Sequence, residues 1–251
     1  MNIIKIKTTD SSNQLLKELL KIYVLKEWTI ITAESQTLGR GQIGNSWESQ
    51  ANKNITCSIL LYPKFLQIKQ CFLLSKVIAI GIKEALNVYI KQGVTIKWPN
   101  DIYFKNKKIA GILIENEVIC GKIIHSIIGI GVNVNQQTFE SNAPNPVSLK
   151  QIIGFKVNTD ILLKQIIERV AHWYKKLKFC QNELISRVYN DSLFCKDEFH
   201  LYRDTNGFFK AAIQSVSAEG LIHLKTDKKE NRLYYSKDIS LVKNFIQKIN
   251  D

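Results

Sequence analysis

The chain has 251 residues, of which 45% are hydrophobic and 23% are charged. This composition is that of a folded globular protein and excludes an intrinsically disordered one. The 35 basic and 22 acidic residues give a formal net charge of +13, which favours nucleic acid, an anionic membrane surface or an acidic protein as partner without choosing among them. Because the basic residues are scattered along the chain, a general compositional bias explains this excess better than selection for a polyanion.

The cysteines and the amino end indicate where the protein works. Five cysteines without a Cys-x-x-Cys pair predict reduced, mostly buried thiols, and neither a disulfide framework nor a zinc site. The first residues contain no apolar signal-peptide core, and no apolar run approaches the ~18 residues that a membrane span requires. We therefore expect a cytoplasmic protein with no membrane partner.

In the first half of the chain, hydrophobic periodicity predicts two helices and two strands. Apolar positions recur at helical spacing over residues 12–26, and again over residues 68–86. Short β-rich runs cover residues 28–33 and 55–61. A glycine-containing loop of about twenty residues joins the two runs, too long for a simple hairpin turn.

From Val94 the pattern changes to strands separated by short polar turns, which indicates an antiparallel or mixed meander. Ser148 and Thr159/Asp160 are candidate caps of two further helices, and the second helix continues, with a break, to about Val188. The predicted strands of this meander are residues 94–98, 102–104, 109–115 and 123–134.

After residue 191 the sequence consists of short strands separated by tight turns. Asn206-Gly207 predicts a hairpin, and Ala218-Glu219-Gly220 predicts another turn. The predicted strands are residues 199–202, 208–216, 221–224 and 233–235. We therefore expect an α+β body over residues 1–190 and a small β-barrel over residues 191–251.

The long loop of the first half is rich in glycine. Gly39-x-Gly41-x-x-Gly44 formally matches the dinucleotide-binding fingerprint, but the residues after it lead into a strand, where that fingerprint needs a helix N-terminus facing a pyrophosphate. We therefore reject a dinucleotide-binding fold. The glycines let backbone amides approach a ligand closely, and Arg40 offers paired donors to a carboxylate or phosphate. A mobile surface loop with incidental glycines explains the loop nearly as well.

A second polar segment reads Lys-Trp-Pro-Asn-Asp at Lys97–Asp101, and Lys108 enters the next apolar strand. Pro99 ends the first strand and presents Asn100 and Asp101 in a turn, where they are able to hold a nucleotide-bound Mg²⁺. For either lysine taken alone, a snorkelling residue on an edge strand is the better explanation.

Together these segments resemble the ordered motifs of the bacterial biotin protein ligase family. The resemblance spans nearly the whole chain, and ordered motifs are far more specific than any one of them. It implies a mixed, largely antiparallel sheet with flanking helices, the class II aminoacyl-tRNA synthetase-like biotin/lipoate ligase fold, followed by an SH3-like C-terminal β-barrel. The matching segments are Ser11-Ser12-Asn13, Gly39 to Trp47, Asn54-Ile55, Lys97 to Asp101, Lys108 to Leu113, and Gly129 to Asn135.

The resemblance implies ATP-dependent activation of biotin to biotinyl-5′-AMP and transfer of the biotinyl group to a lysine of a biotin carboxyl carrier protein, typically that of acetyl-CoA carboxylase. It gives catalytic roles to Arg40, Lys108 and Lys97, because cations must neutralise the anions that meet at the α-phosphate, and it places Asp101 beside Mg²⁺. The implied biotin contacts are Ser11, Ser12, Gln36, Gly39, Arg40, Gly41, Trp47, Lys108 and Gly111. The implied ATP or adenylate contacts are Arg40, Gln42, Trp47, Asn100, Asp101, Lys108 and Asn133.

The chain departs from the family at a few positions. Gln42 and Asn45 stand where the family often has arginine, so adenylate retention would depend more heavily on Arg40 and Lys108. Asn52 replaces a common glycine and can also adopt positive φ. Only ten residues precede Ser11-Ser12-Asn13, so we expect no DNA-binding helix-turn-helix and no specific DNA partner. Relatives occur as monomers and as dimers, which leaves a homodimer open.

Two rival functions are compatible with the sequence. Lipoate protein ligases share the general fold and the adenylation chemistry, but the intact Lys-Trp-Pro-Asn-Asp and Gly-Arg-Gly elements point away from them. A non-catalytic nucleic-acid-binding module would use the positive charge and exposed aromatic residues on the barrel, although alternating strands bury such residues more often than not. The available aromatic residues are Tyr202, Phe208, Phe209, Tyr234 and Tyr235.

Overall fold

The fold is taken from a computed structural model, which describes residues 2–42, 44–140 and 145–242. Its helices are α1 (Ser12–Ile22), α2 (Phe72–Asn87), α3 (Leu149–Ile153), α4 (Thr159–Lys178) and α5 (Asn182–Asp191). The first seven strands are β1 (Asn2–Thr9), β2 (Thr29–Gln36), β3 (Ile55–Leu61), β4 (Val94–Lys97), β5 (Asp101–Phe104), β6 (Lys107–Ile119) and β7 (Lys122–Val132). The last five strands are β8 (His200–Asp204), β9 (Gly207–Val216), β10 (Ile222–Thr226), β11 (Asn231–Tyr234) and β12 (Ser240–Leu241).

The first seven strands form one sheet in the order β1-β2-β3-β7-β6-β5-β4. Strands β1 and β2 run parallel, and every other neighbouring pair is antiparallel. The antiparallel pairs follow from short connections, such as the Cys120-Gly121 turn between β6 and β7, where both residues have positive φ. The prediction of an α+β fold with a mixed, largely antiparallel sheet is confirmed.

Helices cover both faces of this sheet, which explains why all seven residues of β3 are buried. Ile59 and Leu61 of β3 belong to the main apolar core together with residues of α2, which packs against α4. Leu60 points the other way and packs with Leu16 of α1 in a smaller core. A strand with two covered faces reads as a continuous apolar run and not as an alternating one.

Side-chain caps fix the starts of two helices. The Ser148 hydroxyl accepts from the Gln151 amide and forms a capping box at α3, which confirms the predicted cap. The cap of α4 is Asn158, whose side chain accepts from the amides of residues 160 and 161. The predicted caps, Thr159 and Asp160, were therefore wrong by one or two residues. Asn158 precedes both of them, and an asparagine caps a helix as well as an aspartate does.

Two strands were missed by sequence reasoning, β1 and the two-residue β12. Strand β1 is exposed along most of its length, so it carries a weak apolar signal, and it forms by pairing with β2. Helix α1 is shorter than predicted and ends at Ile22. Asp101 lies at the start of β5 and not in the turn before it, whereas Asn52 adopts a φ of 60° as expected.

The second sheet is antiparallel, in the order β11-β10-β9-β8-β12, and stands where the barrel was predicted. The hairpin at Asn206-Gly207 joins β8 to β9 as expected. Val216 of β9 lies in the same apolar core as Val77 of α2, so the second sheet is packed directly on the helices of the first. The domain division at residue 190 stays a prediction.

Two predictions concern the chain as a whole, one about its cysteines and one about membrane spans. All five cysteines are free thiols, but the expectation that most are buried is wrong, since Cys57 is buried whereas Cys120 and Cys180 are exposed. Within the described part of the chain, no helix is both long enough and apolar enough to span a bilayer.

Candidate active site

A cleft of about 510 Å³ lies over the first sheet and is lined by both polar segments of the sequence analysis. A wider groove adjoins it and reaches the second sheet at Glu219 and Tyr235. Gly39 lines the groove, and Asn133 lines neither cavity. The remaining predicted site residues, all of which line the cleft, are Ser11, Ser12, Gln36, Arg40, Gly41, Gln42, Trp47, Lys97, Asn100, Asp101, Lys108 and Gly111.

The glycine-rich loop folds back on itself and brings Arg40 and Trp47 to one wall of the cleft. The Trp47 amide donates to the Gly39 carbonyl at 2.9 Å, and Arg40 forms a β-bridge with Ser46. A side chain at Gly39 would overlap the Trp47 carbonyl, so this turn requires glycine. Among the described residues the Arg40 guanidinium has no hydrogen-bond or ion-pair partner, which leaves its donors available to a ligand.

The Trp47 indole lies on a shelf made by two glycines. A Cβ at Gly131 would overlap the indole, and one at Gly111 would be 3.0 Å from it. Lys108 Nζ lies 5.5 Å from the centre of the ring, a cation–π distance. Trp47 Nε1 is buried without a hydrogen-bond partner in the described residues. The Gly-Ile-Gly motif therefore serves this cleft by leaving room for an aromatic wall.

Strands β4, β5 and β6 bring Lys97, Asp101 and Lys108 together. Lys97 pairs with Asp101 in the register of β4 and β5. A bulge between β5 and β6 places Lys108 opposite Tyr103, in the position that Ile109 would occupy in a regular ladder. Lys108 Nζ consequently lies 2.6 Å from Asp101 Oδ1. The bulge, which no local sequence signal announced, turns the Lys108 side chain into the cleft.

Lys97 lies deeper than the other two cations. Its Nζ donates to the Tyr103 hydroxyl at 3.0 Å and lies 4.6 Å from the centre of that ring. Desolvation lowers the pKa of Lys97, and the nearby Asp101 carboxylate opposes this effect. Desolvation also raises the pKa of Tyr103 to about 12, so the phenol stays protonated. The lysine thus faces the cleft next to a neutral partner.

The opposite wall is uncharged and hydrogen-bonded. The Ser12 amide donates to Gln36 Oε1 at 2.8 Å, which fixes the Gln36 side chain. Ser58 Oγ lies 2.7 Å from Ser12 Oγ and 2.5 Å from Asn13 Oδ1. Sequence reasoning did not select Ser58 or Asn13 as site residues. The available signals were a serine inside a buried strand and the asparagine of the Ser-Ser-Asn element.

The side chains of two other predicted residues donate hydrogen bonds to main-chain carbonyls. Asn100 Nδ2 donates to the Ile112 carbonyl at 2.8 Å. Asn133 is 3% exposed, and its Nδ2 donates to the Lys108 carbonyl at 3.4 Å, so it supports the strand that carries Lys108. Trp98 Nε1 donates to the Gly220 carbonyl at 3.0 Å. That bond ties the Lys-Trp-Pro-Asn-Asp segment to the second sheet.

The cleft carries net positive charge. The charged residues in the described part of its lining are Arg40, Lys97, Lys108 and Asp101, three cations against one carboxylate. Such an arrangement attracts anions and stabilises negative charge that develops within the cleft. With the neutral wall opposite, the site suits a ligand that is polar and uncharged at one end and anionic at the other.

The model of the biotin/lipoate A/B protein ligase family matches residues 5–133, which are 129 of the 251 residues. The chain belongs to this family. All the cleft residues discussed above, from Ser11 to Gly131, lie inside the matched segment.

Individual relatives agree with this membership. The chain is 31% identical over 226 residues to the bifunctional ligase/repressor BirA of Bacillus subtilis, covering 86% of this chain and 66% of the relative. It is 29% identical to the biotin--[acetyl-CoA-carboxylase] ligase of Paracoccus denitrificans, covering 67% of this chain and 71% of that protein. The chain therefore spans just under two thirds of the length of the Bacillus relative, and half of the Escherichia coli one.

A solved structure matches over nearly the whole chain. The biotin protein ligase of Aquifex aeolicus, in complex with biotin and ATP, superposes with a TM-score of 0.80 at 27% identity, covering 96% of this chain and 98% of that one. The superposition includes the second sheet, because so little of either chain is left out.

Proposed function

We propose that the chain is a biotin protein ligase, which activates biotin with ATP and transfers the biotinyl group to a lysine of a carrier protein. The observation that carries this proposal is the convergence of Arg40, Lys97 and Lys108 in one cleft, opposite the neutral wall at Ser12 and Gln36. Biotin has the matching polarity, with a neutral cyclic urea at one end and a carboxylate at the other. The relatives that are named biotin ligases support the choice.

In the first step a carboxylate oxygen of biotin attacks the α-phosphorus of ATP. The bond from that phosphorus to the bridging oxygen breaks, pyrophosphate leaves, and biotinyl-5′-AMP remains. Two anions must approach each other, so the barrier falls if fixed cations neutralise them along the line of attack. Lys108 and Arg40 flank this position in the proposed complex, and Lys97 supports the phosphates from the floor of the cleft.

ATP enters as its Mg²⁺ complex, and Asp101 is the carboxylate that we assign to the metal side. Mg²⁺ on a nucleotide is usually held by one or two protein carboxylates together with the phosphates. Asp101 Oδ1 forms an ion pair with Lys108 but accepts no hydrogen bond from the described residues. A carboxylate bound in this way can exchange its lysine for the metal complex when substrates enter, releasing Lys108 toward the reacting anions.

In the second step the neutral amine of a carrier lysine attacks the carbonyl carbon of the adenylate. An amide forms, AMP leaves with the electron pair of the anhydride bond, and the amine loses a proton. We assign the carrier to the biotin carboxyl carrier class, as in the ligases of acetyl-CoA carboxylase that the chain resembles. We place the reaction in the cytoplasm, where five free thiols remain reduced.

The rival functions receive less support. The family also includes lipoate ligases, but the relatives from Paracoccus denitrificans and Aquifex aeolicus are named biotin ligases. A nucleic-acid-binding module would need exposed aromatic residues, and the aromatic residues of the second sheet differ in exposure. Tyr202 is buried, Phe209 stacks between Tyr202 and Tyr234, and Phe208 and Tyr235 are exposed. Two separate exposed rings do not form a stacking surface.

Calorimetry with biotin, lipoate and single-stranded DNA, each with and without MgATP, tests this proposal. We expect biotin to bind with micromolar or tighter affinity and to release pyrophosphate when MgATP is present. Lipoate and DNA should give no saturable heat at the same concentrations. Tight binding of lipoate in place of biotin, or the absence of biotin binding, would overturn the proposal.

A further inference from the structure

A chain of hydrogen bonds runs from the surface of α1 to the neutral wall of the cleft. Lys17 Nζ lies 2.5 Å from Glu115 Oε1, and Glu115 Oε2 accepts from Asn13 Nδ2 at 2.7 Å. The Asn13 side chain continues to Ser58, and Ser58 continues to Ser12. Ser58, Asn13 and Ser12 are all buried, with exposures of 0%, 3% and 4%. We call this set the serine relay.

The order of donors and acceptors in the serine relay is fixed from its charged end. A carboxylate paired with a lysine has no proton to give, so it must receive one from the Asn13 amide nitrogen. The Asn13 oxygen then points to Ser58 and can only accept. Gly129 makes this orientation possible, since a Cβ there would lie 2.7 Å from Asn13 Oδ1. The single proton of the Ser58 hydroxyl is therefore committed to Asn13.

The direction in which the Ser12 hydroxyl donates follows in the same way. Because Ser58 has given its only proton to Asn13, the 2.7 Å contact between the two serines requires Ser12 to donate and Ser58 to accept. Ser12 Oγ then has both lone pairs free to accept from a ligand in the cleft, which Ser12 lines. Beside it, Gln36 has used its oxygen on the Ser12 amide, so its remaining amide group is a donor.

We infer that Lys17, Glu115, Asn13 and Ser58 are positioning residues that hold Ser12 as a hydrogen-bond acceptor for an N–H group of the ligand. This inference rests on the proposed function and gives it a specific polarity, an acceptor at Ser12 for a ring N–H of a cyclic urea. A hydroxyl without the relay can rotate and present its proton instead. It would then meet the ligand donor with a donor, and the bond would be lost.

The test is a double-mutant cycle on biotin affinity, measured by calorimetry. Ser58→Ala frees the Ser12 hydroxyl, and we expect it to weaken biotin binding about tenfold, the effect of one hydrogen bond. In a Ser12→Ala background the same change should have no further effect, because the relay acts through Ser12. The matched control is Ser126→Ala, which removes another fully buried serine of the sheet, one bonded to Asn116 and outside the cleft lining.

A second set of variants tests whether the far end sets the polarity of the relay. Glu115→Leu removes the acceptor for Asn13 and should weaken biotin binding in the same way as Ser58→Ala. Glu115→Gln leaves one oxygen for two donors, Lys17 and Asn13, so it should also weaken binding. Adding Lys17→Met frees that oxygen for Asn13 and should restore affinity to near the wild-type value. If the double variant is as impaired as Glu115→Leu, the relay is wrong.

The outcomes separate the inference from the proposed function. Biotin binding by the wild type, with Ser58→Ala equally harmful whether or not Ser12 is present, overturns the relay alone. A Ser58→Ala variant that binds biotin as tightly as Ser126→Ala also overturns the relay alone. A wild-type chain that binds no biotin overturns the proposed function, and the relay falls with it.

Discussion

At the scale of single residues, the cationic side chains of the cleft differ in whether they already have a bonding partner. Lys108 is paired with Asp101 and Lys97 with Tyr103, whereas Arg40 has no side-chain partner among the described residues. An unpaired guanidinium next to a cation-lined cleft has more to gain from an incoming anion than a paired one. Gln42 and Asn45, which stand in the same loop, add no positive charge to help it.

We expect Arg40→Ala to lower the rate of adenylate formation by about 10²-fold or more, because it removes a preorganised donor to the developing charge. Arg40→Lys should recover only part of this loss, since an ammonium lacks the planar fork of the guanidinium. Pyrophosphate exchange dependent on biotin measures the rate. Arg169→Ala, on an exposed position of α4, is the matched control, and equal activity of the two alanine variants would remove Arg40 from the mechanism.

At the scale of elements, we propose that the glycine-rich loop between β2 and β3 closes over the bound ligands. Among its described residues, the amides of Gly41, Asn45 and Trp47 all donate to carbonyls within the loop itself. Arg40 is exposed. Because biotinyl-5′-AMP hydrolyses readily in water, a loop that folds over it would exclude water during the reaction.

Trypsin cleavage after Arg40 reports this closure. We expect biotin with MgATP to slow that cleavage at least tenfold, since an ordered loop must open before a protease can bind it. Cleavage after Lys228, in the exposed turn between β10 and β11, is the internal control and should not change. Equal cleavage rates at Arg40 with and without the substrates would show that the loop stays open.

At the scale of the whole molecule, a buried lysine joins helix α2 to the second sheet. Lys76 of α2 has 0% exposure, and its Nζ donates to the Val216 carbonyl at 2.7 Å and to Ser186 Oγ at 3.1 Å. Desolvation lowers the pKa of Lys76 to about 8. No carboxylate forms an ion pair with it in the described residues, so its charge destabilises the fold at neutral pH.

The pH dependence of stability follows from this lowered pKa. Between pH 8 and the unfolded-state value of 10.5, the unfolded chain holds the Lys76 proton and the folded chain does not. Folding stability therefore gains from Lys76 as pH rises, by up to about 1.4 kcal/mol per pH unit. Lys76→Met should remove this gain, so the stability of the wild type relative to the variant should rise from pH 8 to 9.5 in urea unfolding. A constant difference would contradict the assignment.

A net charge of +13 would affect the approach of an acidic carrier protein. We propose that it attracts an acidic carrier domain, so the second-order rate of biotinyl transfer should fall at least tenfold between low salt and about 0.3 M salt. Hydroxylamine, a small neutral nucleophile that also consumes the adenylate, should react at a rate that salt does not change. A carrier rate independent of salt would leave the charge as a compositional bias.

The sequence alone determined the elements that depend on near neighbours. The strand at residues 55–61, the hairpin at Asn206-Gly207 and the cap at Ser148 were all predicted, because β-rich runs, turn residues and caps are written within a few positions. The ordered motifs likewise contain many of the residues that line the cleft, since each motif is a short segment. Only their spacing in the sequence was available, and not the contacts between them.

The tertiary structure decided what depends on register and distant pairing. Strand β1 forms because β2 offers an edge, and Lys108 enters the cleft because a bulge shifts its register against β5. The serine relay joins Asn13 to Glu115, 102 positions apart. Contacts of this kind require strands from remote parts of the chain to be aligned to within one residue, and a local pattern does not contain that alignment.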